Sequence, residues 1–172
     1  VSFTHPHDPY VARRKYWDLY NDCEHLLPPG RSIPYDQQDP HSQRLMDACD
    51  WRAFDITETQ IRRARQGYFA NISYFHDKTG DLLAALTASR QDAIVLFLSD
   101  HGDMLGERGL WFKMNFFEGS ARVPLMVAAP GLAPGRIDTP VSTIDVTPTL
   151  CDLAGISMID VLAWTDGESL GP

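Results

Sequence analysis

Asp100, His101, Asp103 and Lys113 stand together in SDHGDMLGERGLWFK (residues 99–113), directly after the apolar run AIVLFL of residues 93–98. A carboxylate beside an imidazole offers three chemistries: an Asp oxygen and a His nitrogen can hold a divalent ion, relay a proton, or cap a turn. Adjacent residues inside a strand point to opposite faces, but on the first turn beyond it both can converge on one point. Gly102 lets the backbone turn sharply there, and Asp103 can orient His101 or cap the segment after it. Lys113 is flanked by Trp111, Phe112, Met114, Phe116 and Phe117. Such a lysine either snorkels or holds an anion as a point charge. A third cluster, THPHDP, carries His5 and His7. SFTH reads as a strand exit like that of Asp100, so a histidine there can donate to an anionic oxygen or protonate a leaving group. His25, His41 and His76 have no comparable context and read as structural, His76 as half-buried helix packing.

Several elements must position these residues. VSFTHPHDPY reads as the end of a strand entering a loop, and a domain opening in mid-strand is expected to be a piece of something larger. Residues 6–43 are loop-like, with turn chemistry in PHDPY, LLPPGRSIPY and QQDPHSQ and room for a short helix over 11–20. A helix follows, capped by Thr57, with apolar residues at Ile61, Ala64, Tyr68, Ile72, Phe75, Leu82, Leu83 and Leu86. Gly67 and Gly80 weaken it, and a bend or break is expected near Gly80. Arg62, Arg63 and Arg65 read as solvated charge. Residues 93–98 and 124–129 (PLMVAA) are continuous apolar runs, as in strands of a parallel sheet covered on both faces. Residues 148–156 (PTLCDLAGI) read as a short helix closed by Gly155. The order predicts an α/β fold with a parallel sheet, in which ligands gather outside the carboxyl ends of strands. SDHGD sits at such an end.

With 172 residues, 44% hydrophobic and 22% charged, the chain can bury a core and has the composition of one globular domain. A formal charge of −8 disfavours a nucleic-acid partner, which needs a basic face. Cys23, Cys49 and Cys151 lack CxxC spacing, so neither a disulfide framework nor a zinc site is expected, and the cytoplasm is the expected compartment. No apolar stretch is long enough to cross a bilayer, and no membrane partner is expected.

The strings SFTHPHDPYVARRKYWDLY, YFANISYFHDKTGDLL, SDHGDMLGERGLWFKMNFFEGSARVPLMVAAPG and DVTPTLCDLAGI resemble the sulfatases of the alkaline-phosphatase superfamily, and the choline-sulfatase subgroup most closely. The resemblance implies an α/β fold with a mostly parallel sheet flanked by helices, here incomplete. It implies hydrolysis of a sulfate monoester, choline sulfate above all, as the activity of a longer enzyme. One divalent metal ion, calcium or else manganese or magnesium, is implied, with Asp100 and His101 among its ligands. Lys113 matches the lysine that contacts sulfate. His5 matches the histidine that contacts sulfate and assists the leaving group, with His7 as second choice. Members are often oligomeric, so a homo-oligomer is implied for the complete protein.

The family nucleophile is a formylglycine made from the first residue of Cys-x-Pro-x-Arg or Ser-x-Pro-x-Arg. No such string occurs here; the nearest, Ser32-Ile-Pro-Tyr-Asp, lacks the arginine. The two first-strand aspartates of the metal site are missing as well. Residues 1–172 are therefore expected to be a partial catalytic domain without its nucleophile-bearing front part and its C-terminal tail. Alone, such a chain is expected to bind metal weakly, to turn over nothing, and to expose an apolar sheet edge. A phosphonate or phosphodiester hydrolase of the same superfamily is the nearest alternative, and an inactive fragment or pseudoenzyme acting as an interaction module is another.

Overall fold

The computed structural model describes residues 1–23, 26–28, 33–157, 159, 163 and 165–171. His25 and Ser32, singled out above, lie outside the described residues. In chain order the elements are α1 (Arg14–Trp17), α2 (Pro40–Ala48), α3 (Glu58–Ser89), β1 (Val95–Leu98), β2 (Met104–Leu105), β3 (Trp111–Phe112), α4 (Glu118–Ala121), β4 (Leu125–Ala128) and α5 (Val146–Leu153). They fall into two compact units, one of Val1–Ser89 with His101–Arg122 and one of Arg90–Asp100 with Val123–Pro172.

Helix α3 is the spine of the first unit. Thr57 and Gln60 close its start reciprocally: Thr57 Oγ1 accepts from the Gln60 N–H at 3.3 Å, and Gln60 Oε1 accepts from the Thr57 N–H at 2.8 Å. The helix runs through Gly80 without the expected break, and a Cβ there would meet open space. Glycine weakens propensity at that point, but the intact hydrogen bonds of a long helix carry it through.

The buried face of α3 differs from the expected apolar stripe. Arg65, Gln66, Gly67, Ala70 and Asn71 are buried, whereas Leu82 and Leu83 are exposed. The partner explains this: residues 10–21 lie against the helix as backbone, and backbone carbonyls demand donors and close approach. Gln66 Nε2 donates to the Trp17 carbonyl and to Asn21 Oδ1, both at 3.0 Å. Gly67 lies against the Tyr10 carbonyl oxygen, where a Cβ would collide. Ring pairs continue the seam, with Phe3 on Phe75 and Tyr10 on Tyr68 at centroid separations of 5.1 and 5.7 Å.

The excursion of residues 6–43 holds more structure than its turn residues suggest. Asp39-Pro40, read as a turn, starts α2: Asp39 Oδ1 accepts from the His41 and Ser42 N–H groups, and Pro40 takes the position where a missing N–H costs nothing. Residues 1–4 adopt no strand, because among the described residues no strand pairs with them. The segment after residue 100 folds back as an antiparallel hairpin, with Met104 opposite Phe112 and Leu105 opposite Trp111.

In the second unit β1 pairs with β4 antiparallel, Val95 opposite Ala128 and Leu98 opposite Leu125. This corrects the expected parallel arrangement: both sheets among the described residues are two-stranded and antiparallel. An apolar run reports burial and not direction. Along β4, half-buried and exposed residues alternate, the pattern of a sheet covered on one face. Met126 remains 56% exposed. Helix α5 ends as anticipated at Gly155, φ 71°, with Ile156 N–H donating to the Cys151 carbonyl and Gly155 N–H to that of Asp152.

Replacing Gly67 by alanine should destabilise the protein by about 1–3 kcal/mol, since the new methyl must displace the Tyr10 backbone. Gly80→Ala, facing open space, should stabilise by about 0.5–1 kcal/mol. Denaturant unfolding of the two variants checks both signs, and equal effects would contradict the packing described.

Candidate active site

The hairpin of β2 and β3 carries His101 and Asp103 just before it and Lys113 just after it. Gly102 serves close approach and not a left-handed turn: a Cβ would collide with the Gly119 carbonyl oxygen, and its N–H donates to the Ser120 carbonyl at 2.8 Å. Lys113 sits between two non-glycine residues in the left-handed region, Phe112 at φ 63° and Met114 at φ 74°. Such backbone costs about 1–3 kcal/mol per residue and persists only where surroundings impose it. Here His41 Nε2 donates to the Met114 carbonyl at 2.8 Å, and the buried Asn115 accepts the Phe117 N–H through Oδ1 at 3.0 Å.

Lys113 Nζ lies 2.7 Å from His7 Nε2, joining residues 106 positions apart. The other ring nitrogen, Nδ1, faces Asp8, 3.0 Å from its carboxylate and 2.9 Å from its carbonyl. With Asp8 accepting at Nδ1 and Lys113 donating at Nε2, the contacts select the Nδ1–H tautomer of His7. His5 instead packs its ring on Tyr74, centroids 4.7 Å apart. Of the two histidines in THPHDP, the structure brings His7 to Lys113 and sets His5 on α3.

Asp103 links the parts. Burial pushes its carboxyl above the usual carboxylate range, against the opposing pull of Lys113, the Tyr10 hydrogen bond, His101 and His7. Tyr10 donates to Asp103 Oδ2 at 3.3 Å, and burial together with the Asp103 charge pushes the Tyr10 hydroxyl up. Asp103 Oδ1 is buried with no hydrogen-bond partner among the described residues.

His101 Nδ1 lies 2.9 Å from the Gly102 carbonyl, an arrangement that fixes the ring proton on Nδ1 and suits ligation through Nε2. Asp100, exposed, is its neighbour in the chain and belongs to the second unit. By type, an oxygen donor and a nitrogen donor are among those a divalent ion accepts. A calcium ion takes six to eight oxygen-type ligands, and magnesium six. Among the described residues, no three His, Cys, Asp or Glu side chains gather as a metal-holding group. No helix among them is long and apolar enough to cross a membrane.

Three residues of this region escaped the sequence reading. Arg65, expected to be solvated, is 7% exposed and donates to Glu107 and to the Leu105 carbonyl. Tyr10, hidden in turn chemistry, supports Asp103. His41, read as structural, braces the lysine loop. No periodicity marks any of them, because each acts on a segment remote in sequence. Trp111, by contrast, is buried as core. His76 is exposed and not half-buried.

The sulfatase family model matches residues 1–156. The chain is 68% identical over 174 residues to the choline-sulfatase of Rhizobium meliloti (strain 1021), covering 100% of this chain and 34% of the relative. It is 41% identical over 120 residues to arylsulfatase K of Danio rerio, covering 68% of this chain and 22% of the relative. Among solved structures, the phosphonate monoester hydrolase from Silicibacter pomeroyi superposes with a TM-score of 0.81 at 27% identity, over 96% of this chain and 34% of that one. The chain thus spans about a third or less of the length of these relatives.

Nitrogen NMR of labelled histidine should find the His7 proton on Nδ1 and an unprotonated Nε2, a preference that Lys113→Met abolishes. A proton on Nε2 in the unsubstituted protein at neutral pH would contradict the contact.

Proposed function

Since the chain belongs to the sulfatase family, we propose that residues 1–172 are the later part of the catalytic domain of a longer sulfuric ester hydrolase acting on choline sulfate. The observation that carries the reading is the contact of Lys113 with His7, a cation and an imidazole drawn from distant segments to one point. The 68% identity to a choline-sulfatase over the whole chain supports the choice of ester. The mostly parallel sheet belongs, in this reading, to the complete domain.

Lys113 is the anion-facing cation of the site. Its ammonium neutralises charge on the sulfuryl oxygens and donates a proton to the departing alcohol oxygen. His7, oriented by Asp8 at Nδ1, accepts from the ammonium and fixes its direction. The geometry favours His7 over His5 as the histidine beside the sulfate, with His5 stacked on Tyr74. Asp103 and Tyr10 set the electrostatic background on which the lysine acts. Asp100 and His101 would hold the divalent ion, as an oxygen and a nitrogen donor, together with ligands from outside this chain; when bound, the ion supplies Lewis-acid stabilisation of sulfuryl oxygen. With a nitrogen donor in place of one oxygen, manganese or magnesium stands beside calcium as the ion. The attacking formylglycine lies outside the chain in this reading, so the isolated chain turns over nothing. A cytoplasmic location accompanies it, in line with Cys23, Cys49 and Cys151 being free thiols.

A second reading, a phosphonate monoester hydrolase, has one observation in its favour, the TM-score of 0.81 to such an enzyme. In the full-length protein, Lys113→Ala should lower turnover of choline sulfate about 10²–10³-fold, with the fold retained by circular dichroism. Unchanged turnover in a folded variant would remove Lys113 from the site. Faster hydrolysis of an aryl phosphonate monoester than of choline sulfate by the unsubstituted enzyme would favour the second reading.

A further inference from the structure

The hairpin between His101 and Lys113 has two ladder pairs, Met104 with Phe112 and Leu105 with Trp111, extended by the Gly106 N–H donating to the Leu110 carbonyl at 2.9 Å. So short a ladder does not fix its own register, and a slip of one residue would exchange the faces of its side chains. The turn inside it is also unfavourable, with Arg108 in the left-handed region at φ 58°. Something outside the hairpin must hold it.

The turn is held by the buried Gln38, whose Nε2 donates to the Arg108 carbonyl at 2.6 Å, and the strand at Leu105 is held from α3. Arg65 Nη1 donates to Glu107 Oε1 at 2.5 Å and to the Leu105 carbonyl at 3.1 Å. The other Glu107 oxygen accepts the Leu105 N–H at 2.6 Å. Both polar groups of the Leu105 backbone are therefore tied to one ion pair, which is itself tied to the helix. The Arg65 side chain is 9% exposed and that of Glu107 30%. A pair this dry is an inefficient source of stability, because desolvation offsets the attraction; its best-attested use is to specify one arrangement over its competitors. Leu105 itself and, across the hairpin, Leu110 and Trp111 are buried, so the backbone locked at Leu105 is seated in core.

We propose that Arg65 and Glu107 form a positioning unit for the site: they fix the register of the hairpin and thereby hold Lys113 at His7. Neither residue touches the reacting atoms. The proposal rests on the reading of Lys113 and His7 as parts of the active site for its catalytic consequence, though not for its structural one.

The test uses the full-length enzyme with Glu107→Gln, Arg65→Lys and Glu107→Asp, variants that keep a hydrogen-bonding group beside Leu105 and so favour folding. Two readouts are taken on folded protein: the position of the His7 ring proton by nitrogen NMR, and kcat with KM for choline sulfate. Glu107→Gln sets an amide N–H against the guanidinium; it should abolish the Nδ1–H preference of His7 and lower kcat about ten- to a hundredfold with little change in KM. Arg65→Lys should do the same in smaller measure, and Glu107→Asp, which restores the charge, should recover part of both. Folded variants whose His7 signature is unchanged would overturn the proposal, as would a shifted signature with kcat intact. A shifted signature in an enzyme whose unsubstituted form hydrolyses no choline sulfate would support the positioning unit and refute the catalytic reading of the site.

Discussion

A bare strip of helix surface governs the site. At Gly67 the helix presents no side chain, and the backbone of Tyr10 lies directly on it. Two residues earlier, Arg65 grips the hairpin through Leu105 and Glu107. One stretch of α3 therefore seats both the loop that carries His7 and the hairpin that carries Lys113. The distance between those side chains is set by how closely two backbones can approach the same helix. Larger residues would fill the strip, and apolar ones would leave loop carbonyls without donors.

Charge is arranged around this contact in a chain whose formal charge is −8. Lys113 is drawn to a point where His7 and the half-buried Asp103 surround it, and burial works against ionisation of that carboxyl. The left-handed backbone at Phe112 and Met114 keeps the lysine from joining β3 as a third strand residue. Strain of this kind concentrates where a side chain must be aimed and not merely packed.

The two units bury little apolar surface by comparison with their content. Phe116 is 96% exposed and Met126 56%. Both lie in a chain that spans about a third of the length of its choline-sulfatase relative. The hydrophobic term scales with area removed from water, so such residues contribute little to stability while exposed.

How far the sequence could be read depended on the range of each interaction. The Thr57 cap and the Gly155 closure were legible because each is settled within a few residues. The start of α2 at Asp39-Pro40 was equally local, but the same residues serve turns, and composition could not decide between them. The antiparallel course of β1 and β4 was illegible, because an apolar run encodes burial without direction.

By itself the sequence determined the family, the capped spine helix, and the residue types available for anion and metal chemistry, all of which follow from local pattern or whole-chain similarity. Tertiary structure alone decided that His7 rather than His5 meets Lys113, and that Arg65 is buried while its neighbours Arg62 and Arg63 are not. Those choices turn on contacts between segments tens of residues apart, where the fit of one backbone against another selects the partner and no spacing in the chain records it.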